Sequence, residues 1–158
     1  MKAELINPFI ESLNDIFNTM LSGNLRRGPL AISKADSHPY DLMAVIGITG
    51  EAAGTVGISF PKETAMKLVG SLLGAELTGI DQVAIDGISE MVNMVAGGAK
   101  AKLSNEGGFP LSLSLPNVIV GNNYVVEYPT GTMWLEVPFE SDFGAILLRV
   151  NFQNPPES

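Results

Sequence analysis

Residues 81–104 read DQVAIDGISEMVNMVAGGAKAKLS, and two periodicities lie superposed in them. Ile85, Ile88, Val92, Val95, Ala99 and Leu103 recur three or four apart, the spacing of one face of an α-helix. That face needs a partner surface to cover it. On the opposite side Asp86, Glu90, Asn93, Gly97 and Lys100 form one continuous polar stripe. A face that only meets water would be more stable built from Ala, Lys and Glu, because Gly costs about 1 kcal/mol relative to Ala in a helix interior. The like charges of Asp86 and Glu90, one turn apart, destabilise the helix by a further few tenths of a kcal/mol. The stripe points to solvent or to a partner, and composition and spacing leave the idle surface and the docking surface equally open. Gly87, Met91, Met94 and Gly98 flank it.

The rest of the chain supplies what this helix packs on. Upstream, Asn7-Pro8 reads as an N-cap followed by proline at the first helical position, with Phe9, Leu13, Ile16, Phe17 and Met20 at helical spacing up to Gly23. DLMAVIGITG and TVGISF, joined by EAAG, read as a hairpin, and Pro61 opens a shorter helix, PKETAMKLVGSLLG, that Gly74 stops. Downstream of Gly107 and Gly108 come the strand-like runs LSLSL, VIV, YVVEY, TMWLEVPF and GAILLRVNF, punctuated by Pro116, Asn122-Asn123, Pro129 and ESDFG. A long helix, a strand and a hairpin thus occur twice, which predicts an internal duplication. The expected architecture is α+β, with long helices on one face of an antiparallel sheet. Residues 1–153 read as a single domain and 154–158 as a flexible tail.

Of the 158 residues, 46% are hydrophobic and 16% are charged, the balance of a globular chain. A net charge of −8 argues against nucleic acid and anionic membranes as partners. The adjacent Arg26-Arg27 pair reads as a solvated loop. The absence of cysteine excludes disulfides and thiolate chemistry and suits a reducing cytoplasm. MKAELINPF lacks a secretory apolar core, and no run approaches the ~18 apolar residues of a membrane span. His38, beside Pro39, is given no catalytic role. GITGEAAG lacks the Lys and Ser/Thr of a phosphate-binding loop, so it reads as a turn.

Glu90 and Asn93 lie three apart, with Cβ atoms roughly 5–6 Å from each other on one side of the helix. Asn carries both a donor and an acceptor and no charge, so it can orient a water beside an anion where a carboxylate would be repelled. Glu90 suits a lysine on another molecule. Neither is a nucleophile, and two exposed monodentate carboxylates such as Asp86 and Glu90 do not hold Mg²⁺ without a phosphate.

Asp86, Glu90, Asn93 and Pro116 fit the D/S-x3-E-x2-N-x22-P signature of the CheC, CheX and FliY chemotaxis phosphatases. The chain is accordingly similar to that family, and its single complete motif resembles CheX more than CheC, whose two halves each carry a copy. Glu11 and Asn14 in the first helix form a degenerate second copy: Asn7 stands where Asp or Ser belongs, Ser37 where Pro belongs, and Asn18 where Gly97 leaves the surface bare. The resemblance implies a CheC-like fold and an aspartyl-phosphate phosphatase whose substrate is phosphorylated CheY, a response-regulator receiver. It implies that Asn93 holds the attacking water and Glu90 pairs with the receiver's lysine, while Asp86, Met94, Gly97 and Lys100 serve docking. No cofactor is then bound by this chain, the receiver brings its own Mg²⁺, and the protein is a cytoplasmic homodimer joined through exchanged strands. Two alternatives stay open: a non-catalytic interaction module like the middle domain of the flagellar switch protein FliM, and a phosphatase of a response regulator outside chemotaxis.

Overall fold

The two long apolar alternations of the sequence become two antiparallel hairpins, and these form the middle of the sheet. β3 (Leu42–Gly50) pairs with β4 (Gly54–Phe60) in a register running from Leu42↔Phe60 to Ile48↔Gly54. β7 (Trp134–Ser141) pairs with β8 (Gly144–Phe152) from Leu135↔Val150 to Ser141↔Gly144. This computed structural model describes residues 6–21, 23–33, 40–50, 53–107, 111–121 and 133–152. Among them lie three helices, α1 (Asn7–Thr19), α2 (Lys62–Leu73) and α3 (Gln82–Gly107), and four short strands, β1 (Leu25–Arg27), β2 (Ala31–Ser33), β5 (Leu111–Leu113) and β6 (Asn117–Val120).

The eight strands form one sheet in the order β1-β7-β8-β4-β3-β5, with β2 also on β7 and β6 also on β3. The expected duplication is therefore present as topology: α1-β1-β2-β3-β4 is repeated as α3-β5-β6-β7-β8, with α2 between. Each half lends its two short strands to the other half's hairpin. The hairpins meet where β4 pairs with β8.

Successive side chains on a strand alternate between faces. Ala44, Ile46, Ile58, Val137 and Leu148, all 0% exposed, join α1 and α3 in one apolar cluster, so both long helices cover the same face. Burying each of the larger ones, Ile46, Ile58, Val137 and Leu148, contributes about 1.5–3 kcal/mol relative to leaving it in water. The other face carries a different cluster. Arg149 is buried there; its Nε meets Glu136 Oε2 at 2.7 Å, and its guanidinium stacks 4.6 Å from the Trp134 ring centroid. The pairing Glu136↔Arg149 explains the ion pair, since Glu136 is the direct cross-strand neighbour.

Several expectations need correction. Ile6, not Asn7, is the N-cap of α1, with no side-chain cap bond; Asn7 is already helical and Pro8 follows it in the first turn. Met20 lies past the helix end and is 49% exposed, whereas Ile10 and Ser12 complete the buried face. Arg26 and Arg27 are not in a loop but in β1, opposite Glu140 and Phe139 on β7. LSLSL contributes only three residues to β5, which ends short of Pro116. The short helix behaves as expected, Gly74 taking the left-handed conformation (φ 66°) that closes α2. The expected YVVEY strand, His38, Ser37 and the 154–158 tail fall outside the described residues.

Candidate functional site

Helix α3 starts where Asp81 Oδ1 accepts a hydrogen bond from the Ala84 backbone N–H at 3.0 Å, which satisfies one of the first turn's unpaired donors. Its buried arc is wider than the six residues of the sequence pattern. Ala84, Met91 and Ala96 are also fully buried, while Ile85 is only half-buried. The reason is that α3 packs against α1 and α2 as well as the sheet. Met91, expected to flank the stripe, is instead core.

The glycines divide by role. A Cβ on Gly98 would overlap Ser12 Oγ, and one on Gly87 would sit 2.5 Å from Val69 Cγ1, so these two let α1 and α2 approach α3 closely. The first contact is reinforced by Ser12 Oγ donating to the Val95 carbonyl at 2.7 Å, and by a 3.2 Å ion pair between Lys102 and Asp15. Gly97, by contrast, has nothing within 4 Å of a built Cβ. Gly97→Ala is expected to raise stability by about 0.5–1 kcal/mol through helix propensity. Gly98→Ala should lower it, because the methyl displaces a buried hydroxyl from its acceptor, at a cost of about 1–3 kcal/mol. Denaturant unfolding reads both, and equal shifts would remove the packing role of Gly98.

Asp86, Glu90, Asn93, Gly97 and Lys100 are all exposed, as the stripe requires. Asp86 Oδ1 accepts from Gln82 Nε2 at 2.7 Å and so has a partner within its own helix. Among the described residues, the side chains of Glu90 and Asn93 have no hydrogen-bond or ion-pair partner, which leaves both free for another molecule. Their helix is rigidly held on three sides, a suitable platform for a positioned polar pair. Met94 is half-buried at the edge of the stripe. Among the described residues no group of three or more His, Asp or Glu side chains is placed to hold a metal ion.

Pro116 lies half-buried between β5 and β6, both of which pair with β3 and touch α3. The segment before it is tied down by Ser114, whose Oγ accepts from the Gly47 N–H at 2.8 Å while its own N–H donates to the Gly47 carbonyl at 3.0 Å. Glu11 of the second copy is exposed, whereas Asn14 is half-buried and Ser12 between them turns in towards α3. Not foreseen from the sequence is a groove beside Glu90, lined by Met20, Leu73, Val83 and Met94. Its one signal was Val83, an apolar residue outside the buried period.

Two long helices on one face of a sheet made of two interlocked halves, with an outward Glu and Asn on the second, define a CheC-like protein. A CheC-like superfamily protein from a Shewanella species superposes with a TM-score of 0.87 at 28% identity, covering 97% of this chain and 99% of that one. The family model for chemotaxis phosphatase CheX matches residues 42–140. A Thermotoga maritima protein named CheY-P phosphatase CheX is 32% identical over 129 residues, 80% of this chain and 82% of its own length. The chemotaxis protein CheX of Vibrio vulnificus superposes with a TM-score of 0.85 at 30% identity over 96% of this chain and 100% of that one. The chain belongs to the chemotaxis phosphatase CheX family. No described helix is long and apolar enough to cross a membrane.

Proposed function

We propose that this chain, as a single domain over residues 1–153 acting in the cytoplasm, accelerates hydrolysis of the aspartyl phosphate of phosphorylated CheY. The observation that carries the reading is the pair Glu90 and Asn93, exposed one turn apart on a rigid helix and unpartnered among the described residues. The relative from Thermotoga maritima bears the name of that activity. Water oxygen attacks phosphorus, the bond from phosphorus to the receiver's carboxylate oxygen breaks, and inorganic phosphate leaves with the aspartate restored. Asn93 holds the water in line through its amide, and Glu90 engages the lysine beside the phosphate. Such a reaction asks the protein for positioning more than for covalent chemistry. The Mg²⁺ belongs to the receiver, since Asp86 and Glu90 alone are too few ligands to hold it.

The experiment follows loss of phosphate from phosphorylated CheY with and without the protein. Acceleration by the wild type is expected, with Glu90→Ala about tenfold slower, the loss typical of one exposed charged contact at a docking centre. An unchanged phosphate lifetime in the presence of the wild-type chain would overturn the reading.

A further inference from the structure

Three of the exposed large apolar side chains lie at the ends of three different helices and converge on one place. Met20 (49% exposed) follows α1, Leu73 (54%) ends α2, and Val83 (51%) lies in the first turn of α3. With Met94 they line a groove of about 470 Å³. Its ionisable lining groups are two carboxylates, Asp86 and Glu90. Scattered apolar residues on a surface need no explanation, but a concave cluster with a polar rim marks an interaction site. Two features identify its occupant. Asp86 and Glu90 belong both to the groove and to the polar stripe, so a molecule seated on Glu90 and Asn93 also covers the groove. The acidic rim selects an apolar side chain that has a cation next to it.

We infer that this groove receives an apolar side chain of the phosphorylated receiver, carried beside a basic residue that meets Asp86, and that it sets which receiver is a substrate. The inference rests on the phosphatase reading and extends it from chemistry to partner selection. In that reading Glu90 and Asn93 act at the phosphate. The groove lies to one side of that pair, so it meets receiver surface away from the phosphate. An apolar cavity of this kind discriminates by side-chain size and by exclusion of charge.

The test uses Leu73→Lys and Val83→Lys, with Val83→Ser as a milder change. Both positions are about half exposed, so lysine can reach water without disturbing the core. KM for the phosphorylated receiver is expected to rise about tenfold in the lysine variants and less in Val83→Ser, with kcat within a factor of two. Unchanged KM with normal hydrolysis would overturn the groove assignment and leave the phosphatase reading standing. If the wild type does not hydrolyse the phosphate, that reading fails by itself. Binding of the beryllofluoride-activated receiver then decides the groove: weaker binding by the lysine variants supports it, and equal or absent binding overturns it. A change in the solution mass of the variants with unaltered receiver KM would make the groove a contact between copies of this chain, which also overturns the assignment.

Discussion

Asn93→Ala is expected to slow the protein's dephosphorylation of CheY by about 100-fold or more, the cost of losing the alignment of an attacking water. The effect should appear in kcat, with KM nearly unchanged, because the amide acts on the water and contributes little to docking. Asn93→Asp gives a sharper contrast. It keeps the size of the side chain but replaces the amide donor with a second anionic acceptor facing a phosphate, so it is also expected to fail. The fold tolerates both changes, since Asn93 is exposed and unpartnered among the described residues. Single-turnover decay of phosphorylated CheY measures the effect, and a rate for Asn93→Ala within twofold of wild type would remove Asn93 from the chemistry. Gly97 sits one turn beyond, with open space above it, and leaves clearance for the receiver's backbone.

The second large effect concerns stability. Glu136→Ala is expected to cost about 2–3 kcal/mol, because it removes the carboxylate that lies 2.7 Å from the Arg149 guanidinium, only 2% exposed. The figure lies below that for a fully enclosed pair because Glu136 keeps 20% of its side chain in solvent. Replacing both partners with apolar residues, Arg149→Met with Glu136→Leu, should cost less than Glu136→Ala alone, since the buried charge is then removed together with its carboxylate. Urea unfolding of the three proteins decides the matter. A double variant less stable than the single one would show that Arg149 acts through its stacking on Trp134 rather than through the ion pair.

The polar stripe was legible from residue types because a helix maps sequence onto a surface through one fixed period, and every member of it is exposed. The two hairpins were legible for the same reason, through a period of two. What escaped depended on partners distant in the chain. β1 and β2 are three residues each and carry no period of their own; they become strands by pairing with β7. Met91 looked like a flank of the stripe because its burial is caused by neighbouring helices, which a single helical wheel cannot contain. Gly98 and Gly97 are adjacent and identical in type, and only the presence of Ser12 beside one of them separates packing from clearance. The groove beside Glu90 needed three helix ends brought together.

The lending of short strands between the halves also determines the order in which the molecule can assemble. The Asn24 N–H donates to an Asp142 carboxylate oxygen 118 residues further along the chain, and Leu25 pairs with Ser141 beside it. The first half therefore cannot complete its sheet until the chain as far as Asp142 has been made. Pairings between such distant segments carry a large loop-closure entropy before they are rewarded, and domains rich in them fold in milliseconds to seconds rather than microseconds. Neither half is a finished unit when separated from the other: residues up to α2, kept apart from the rest, would leave the β3 edge without β5 and β6, and the remainder would leave the β7 edge without β1 and β2.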